Sequence, residues 1–216
     1  DMPVNVQKDE KKGLYYVQQE KKRLYFRKST PPKKIQKYYK ALSMEQDKRS
    51  PHHYFDSVKD VTGKVFVDVG CAEGYSSLEI VEEAKHIYLF EQDEQWLEAI
   101  RATFEPWQDK VTIVQKYVSD HNSSREQTLD DFFNNQTDEH LFLKMDIEGA
   151  ERHALAGCKN LFQNCQKLDF AICTYHLRDD EEVISAFLNK HNCTYINQKG
   201  FFRHRIRSVV MRGSKK

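Results

Sequence analysis

Five short segments hold the residues best suited to chemistry, and each follows an apolar run. The first is Asp68-Val69-Gly70-Cys71-Ala72-Glu73-Gly74. Glycines at 70 and 74 let the backbone turn sharply and approach a ligand. A helix starting near Ser76 would aim free N–H groups at a carboxylate, and Asp68 would hold an ammonium group. The second is Glu91, 23 positions after Asp68. An acid at that spacing, ending a second strand, suits ribose hydroxyls; Gln92 and Asp93 follow it. The third is Tyr117-Val118-Ser119-Asp120, where Val118 offers an apolar wall and Ser119 or Asp120 a polar contact for a purine. The fourth, Asp146-Ile147-Glu148-Gly149-Ala150-Glu151, places three acids in six residues. Acids at a helix start are favourable on electrostatic grounds alone, but this set also suits proton transfer or a hard cation. The fifth is Cys173-Thr174-Tyr175-His176. If its strand neighbours the one before Asp146, His176 lies beside Asp146 as a candidate general base.

The elements that must position these segments alternate. Apolar runs at 65–67, 87–90, 111–114, 141–145 and 168–174 read as strands. Helices are expected over 76–85, 94–104, 149–156 and 181–190, and a short one over 128–133. Cys193–Ile196 and Ile206–Met211 read as two final strands joined by a turn. Continuous apolar strands alternating with amphipathic helices predict a parallel sheet covered on both faces. The last two strands predict an antiparallel hairpin at one edge. Ahead of this core, residues 14–18 and 23–27 read as a β-hairpin. A helix with Pro31-Pro32 in its first turn follows, with Ile35, Tyr38, Tyr39 and Leu42 at helical spacing. The expected division is an N-terminal hairpin and helix cap at 1–57 and a ligand-binding domain at 58–216. Residues 120–139 are the most polar part of the core.

The 216 residues carry a net charge of +1, unevenly spread. Residues 1–50 hold fourteen Lys and Arg against six Asp and Glu, so the N-terminal region is basic. That suits an anionic partner, a phosphorylated sugar or RNA for instance, as well as a plain solvated surface. Five cysteines, with no CxxC pair, point to free thiols and a reducing, cytoplasmic setting. No apolar run approaches membrane-spanning length.

In open α/β sheets ligands bind at the carboxyl ends of the strands. Read together, the strand-end residues fit the amino-acid end, ribose and adenine of S-adenosylmethionine (SAM). The glycine spacing differs from the dinucleotide pattern GxGxxG, which disfavours an NAD-binding oxidoreductase.

The span from about Val65 to Met211 resembles the FkbM family of SAM-dependent methyltransferases. Lys144-Met145-Asp146-Ile147-Glu148-Gly149-Ala150-Glu151 is similar to the family's KxDIEGAE-like signature. The Asp68–Gly74 stretch is similar to its DxGAxxG element, with Cys71-Ala72 in the variable part. Phe90-Glu91 matches its FE element, with Gln92 where the family often has proline. Thr128-Leu129-Asp130 resembles a TLDD segment, and Tyr175-His176 a histidine element near the fifth strand. The segment Glu45-Gln46-Asp47-Lys48-Arg49-Ser50-Pro51-His52-His53-Tyr54 is similar to an SPHxY element of a bacterial subgroup.

The resemblance implies a Rossmann-like class I methyltransferase sheet and methyl transfer, usually to a hydroxyl of a sugar or other natural product. Together the residues and the resemblance assign cofactor contacts to Asp68, Gly70, Cys71, Ala72, Gly74, Ser76, Glu91, Gln92, Val118, Ser119 and Asp146. Asp146, His176 and Glu148 are the catalytic candidates. Ser50, His52, Tyr54, Tyr175 and Arg178 are assigned to the substrate side, Arg178 as a partner for a phosphate or carboxylate. Asp146, Glu148 and Glu151 form an all-oxygen set of the kind that holds Mg²⁺. The expected acceptor is a saccharide or other small molecule. The rivals are an RNA methyltransferase, using the basic region and its tyrosines, and a SAM-binding module without turnover.

Overall fold

The computed structural model describes residues 4–134, 138–202 and 205–215. Parts of three expected segments fall outside these: residues 1–3 of the N-terminal cap, 135–137 of the polar stretch, and 203–204 and 216 of the region carrying the two final strands. The chain opens with strands β1 (Val6–Asp9), β2 (Leu14–Gln19) and β3 (Lys22–Tyr25), then helix α1 (Pro32–Glu45). The three strands form an antiparallel sheet in the order β1-β2-β3. The hairpin is as expected. The added strand β1 was missed because Val6–Asp9 has only one clear apolar residue, and its pairing with β2 supplies the order.

The main domain follows with β4 (Val65–Val69), α2 (Tyr75–Ile80), β5 (His86–Phe90), α3 (Glu94–Phe104) and β6 (Val111–Val114). Next come β7 (Tyr117–Val118), β8 (Glu126–Gln127), α4 (Leu129–Phe133), β9 (His140–Met145), α5 (Glu151–Ala156) and α6 (Lys159–Asn164). The chain closes with β10 (Lys167–Cys173), α7 (Asp180–Lys190), β11 (Thr194–Phe202) and β12 (Arg205–Lys215). Seven strands make one sheet in the order β11-β12-β10-β9-β4-β5-β6. The β10-β9-β4-β5-β6 pairs are parallel, and β12 joins β10 and β11 antiparallel. The mostly parallel sheet with an antiparallel edge hairpin is therefore as expected, the hairpin being longer than its apolar residues indicated.

Helix α2 is shorter than the expected span to Lys85. The chain turns after Ile80 because it must re-enter the sheet beside β4: Gly63 N–H donates to Glu83 O and Lys85 N–H to Lys64 O. Helix α3 keeps its expected bounds. Asp93 caps it by accepting from Gln95 N–H at 3.0 Å, and Trp96, Ile100, Thr103 and Phe104 bury one face.

Period-two alternation along the central strands divides two cores. Val65, Val67 and Val69 of β4 join Leu141, Leu143 and Met145 of β9 on one face. Phe66 and Phe142 face the other, where Leu14, Leu24, Phe26 and Ile35 of the N-terminal segment pack with Ile87 and Ile100. The N-terminal cap thus shares a core with the sheet. Tyr25 N–H donates to Thr103 Oγ1 of α3 at 3.0 Å, which anchors β3 over that helix. Among the described residues no helix is long and apolar enough to cross a membrane.

Gly157, at the end of α5, is a place where the fold admits no side chain: an added Cβ would lie 2.0 Å from Ser119 O. Gly157→Ala should lower stability by about 1–3 kcal/mol through overpacking, read as a reduced thermal midpoint.

Candidate functional site

The strand order reverses beside β4, with β5 and β6 on one side and β9 and β10 on the other. That switch point opens a crevice at the carboxyl ends of the strands, and a cavity of about 690 Å³ occupies it. Residues 69–73 from the β4–α2 turn, 90–93 from the end of β5, and 116–118 line its floor. Lys144, Asp146 and Glu148 follow from the end of β9, and α1 covers it with Tyr38, Leu42 and Glu45.

The turn after β4 and the turn after β9 interlock. Gly70 has φ +80°, and an added Cβ would lie 2.1 Å from Asp146 O and 2.6 Å from Ile147 Cγ2. Asp146 N–H donates to Val69 O at 3.1 Å. Asp68 and Lys144 are direct partners in the β4–β9 register. Lys144 Nζ lies 2.8 Å from Asp68 Oδ1 and donates to Gly70 O at 2.7 Å. Ser77 Oγ donates to Asp68 Oδ2 at 2.6 Å. Burial acts to lower the Lys144 pKa, but Asp68 and then Asp146 outweigh it and hold the ammonium above its usual value.

Asp68 lines the cavity and is paired there with Lys144. Beside the start of α2, the Glu73 carboxylate is buried and accepts from Tyr38 Oη at 2.8 Å. Gly70, Cys71, Ala72, Ser76, Glu91, Gln92 and Val118, assigned from the sequence to the cofactor, line the cavity. Gly74 and Ser119 do not. Gly74 (φ +82°) abuts the Phe104 ring, and the Ser119 carbonyl packs on Gly157. Glu91 accepts from Ala72 N–H at 3.0 Å and Asp93 N–H at 2.8 Å, which aims it across the mouth of the glycine turn.

Around Asp146 the structure assembles a second group. Tyr54 Oη donates to Asp146 Oδ2 at 2.7 Å. Burial, then Asp146, pushes the Tyr54 phenol well above its usual pKa. Gln198 of β11 holds the segment that carries Tyr54, its side-chain amide donating to Pro51 O at 2.9 Å and His53 O at 3.0 Å. His176 stands behind Asp146: Nε2 is 3.4 Å from Asp146 Oδ1, and Nδ1 is 2.8 Å from Glu151 Oε1. Burial acts to lower the His176 pKa, but Glu151 and then Asp146 and Glu148 raise it above the usual value. Of the two candidate bases, Asp146 lines the cavity and His176 does not.

Of the substrate candidates, Tyr54 and Tyr175 line the cavity. His52 reaches it only through an edge-to-face contact with Tyr175 at 5.4 Å. The Ser50 hydroxyl accepts from His52 N–H at 3.2 Å and shapes its own turn. Arg178 is exposed and lies outside the cavity, because the chain turns outward before α7. The expected all-oxygen Mg²⁺ set is not assembled: the Glu148 side chain is 92% exposed. The ligand atoms that come within 4.8 Å of one another belong to Asp146, Glu151 and His176, and Glu151 already accepts from Ile147 N–H at 2.9 Å.

Several lining residues had escaped sequence reasoning: Arg27, Tyr38, Glu45, Glu73 and Trp96. Arg27 lies over the Trp96 ring at 4.0 Å and pairs with Asp93 at 3.0 Å. Their partners are remote in sequence, so no local spacing signals them. Tyr38, Glu45 and Glu73 sat in segments already singled out, but without a site role.

Residues 115–196 match the Methyltransferase FkbM domain model. The resemblance to the FkbM family is thereby shown. The match takes in Lys144–Glu151 and Tyr175-His176 and leaves out the glycine turn at 68–74. No curated protein matches the chain significantly. Among solved structures, Methyltransferase FkbM from Methylobacillus flagellatus KT is similar at a TM-score of 0.56 and 18% identity. The alignment covers 70% of this chain but 43% of that protein, so this chain spans under half the relative's length. SMU.1697c from Streptococcus mutans, a methyltransferase candidate solved in complex with SAH, is similar at a TM-score of 0.52 and 14% identity, covering 73% of this chain and 93% of that one. Magnesium protoporphyrin IX methyltransferase (ChlM) from Synechocystis PCC 6803, solved with bound SAM, has a TM-score of 0.50 at 12% identity, covering 73% and 72% of the two chains. At these identities the likeness is one of fold, and that fold is the Rossmann-like class I methyltransferase fold.

The Lys144–Asp68 pair gives a direct test of this FkbM-like core. Lys144→Met leaves Asp68 buried without its cation, and should cost about 3–5 kcal/mol in denaturant unfolding.

Proposed function

We propose that this chain is a SAM-dependent methyltransferase acting on a hydroxyl of a saccharide or related small molecule. One observation carries the reading. A single cavity joins the glycine turn after β4, Glu91 after β5 and Asp146 after β9, groups suited in turn to the amino-acid end, the ribose and the reacting methyl of SAM. The SAH and SAM complexes of the two fold neighbours support it by analogy of fold alone.

The cofactor, when bound, supplies an electrophilic methyl group on a sulfonium. The protein's part is to hold the acceptor oxygen in line with that methyl at near contact and to exclude water. Gly70, Ala72 and Glu91 would hold the cofactor, which would offer its methyl carbon to the acceptor oxygen, with the sulfur as leaving group keeping the electron pair. The hydroxyl proton passes to Asp146, the carboxylate that lines this end of the cavity. Tyr54 and His176 hold that carboxylate from two sides and act as positioning residues. Glu91 would take the ribose hydroxyls, since a carboxylate accepts from both.

The acceptor end is aromatic and acidic: Tyr54, Tyr175, Glu45, Asp146 and Glu148. Carboxylates accept hydrogen bonds from hydroxyls, and aromatic faces pack against sugar rings. The same carboxylates repel phosphate, so this end favours a neutral polyol over the anionic acceptor or RNA that the basic N-terminal region suggests. With Arg178 outside the cavity, the expected anion-binding residue lends no support to such an acceptor.

The test is incubation with SAM and a panel of neutral sugars and sugar phosphates, with mass spectrometry to detect product and SAH. Methylation of a neutral sugar supports the reading, and SAH binding without turnover on any acceptor would favour a non-catalytic module. Asp146→Asn should keep SAH binding within a few-fold and lower turnover about 10²–10⁴-fold, the range for a lost general base. Unchanged turnover would remove Asp146 from that role.

A further inference from the structure

We infer that Glu73 is the counter-ion of the cofactor's α-ammonium group, the role that Asp68 does not fill because Lys144 neutralises it. The inference rests on the SAM-site reading above and adds a residue that the FkbM resemblance leaves unassigned, since position 73 falls among the variable positions of the glycine element.

Glu73 is 3% exposed and lines the cavity. It sits in the β4–α2 turn, next to Gly70, Cys71 and Ala72, where the amino-acid end of SAM would lie. Among the described residues no Lys, Arg or His nitrogen lies within 4.0 Å of its carboxylate, although such pairs are found for Asp68, Asp93 and Glu151. A buried carboxylate without a cation is costly, and the cation that completes this one would be the ligand's.

The groups around it leave that place to the ligand. From α1, Tyr38 Oη donates to Glu73 Oε2 at 2.8 Å and fixes the carboxylate's orientation. From β9, Lys144 faces it but is held by Asp68 of β4. Arg27, beyond Tyr38, pairs with Asp93 and lies over Trp96. Cys71 of the same turn is a buried thiol pushed well above its usual pKa, first by burial and then by Asp68. Burial raises the Glu73 carboxyl to about 7, against the opposing pull of the backbone amides and Tyr38. Arrival of an ammonium would favour its ionised form.

Calorimetric titration distinguishes the possibilities with two probes: S-adenosylhomocysteine (SAH), and its analogue with hydrogen in place of the α-ammonium. SAH lacks the sulfonium, so its response reads the ammonium alone. Glu73→Gln should weaken SAH about tenfold or more, the loss expected for a hydrogen bond between charged groups, and leave the analogue within about twofold. In the wild-type protein SAH affinity should fall as pH is lowered through about 7, because protonated Glu73 no longer pairs with the ammonium. The analogue's affinity should not fall with it. This pH arm decides the matter if the variant fails to fold. Equal weakening of both probes, unchanged SAH binding by Glu73→Gln, or parallel pH profiles for the two probes would overturn the assignment. A wild-type protein that binds neither probe would instead sink the SAM-site reading itself.

Discussion

Two adjacent strand ends, β4 and β9, meet across one buried ion pair. Alternation puts Asp68 on the same face as Phe66, and Lys144 on the same face as Phe142. The register then makes Asp68 and Lys144 direct neighbours. Their charges lie 2.8 Å apart in a nearly dry setting. Burial of either charge alone would cost several kcal/mol, so the pair fixes the strand register and the positions of both following turns. Gly70 extends the constraint, because only a residue without Cβ lets the first turn lie against the Asp146 carbonyl. The cavity exists because these turns are held together at the switch point of the sheet.

From that junction the site divides into two ends of different chemistry. The glycine-turn end is closed over by α1, with Tyr38 reaching Glu73 and stacking near Trp96. The Asp146 end is built by long-range contacts: Tyr54 from the N-terminal side, Tyr175 and His176 from the end of β10, and Glu151 from α5. The basic charge of the N-terminal region does not carry into this end. Among the described residues only Arg27, Lys116 and Lys144 contribute cationic side chains to the cavity. Of these, Arg27 and Lys144 are paired with carboxylates.

What the sequence made legible was what neighbouring residues decide. The five central strands, the bounds of α3, the glycine turn and the acidic turn could all be read, because apolar runs, caps and glycine spacing are local signals. The shortening of α2 could not, since it depends on the backbone bonds that return the chain to β4. The pairing of Asp68 could not be read for a similar reason. Its partner lies in another signature, and only the register reveals that the two signatures neutralise each other. His176 could be placed beside Asp146 because strand adjacency follows from topology, whereas which of the two lines the cavity depends on packing by Glu151 and Tyr175. The roof supplied by α1 left no trace in any motif.

The most direct measurement is a crystal structure of the protein with S-adenosylhomocysteine. The expected result is the ligand in the cavity over the β4 and β5 ends, its ribose hydroxyls on Glu91, its ammonium beside Glu73 and its sulfur turned towards Asp146. A ligand seated elsewhere, or a ribose remote from Glu91 with the sulfur turned away from Asp146, would contradict the assignment of this cavity as the methyl-transfer site.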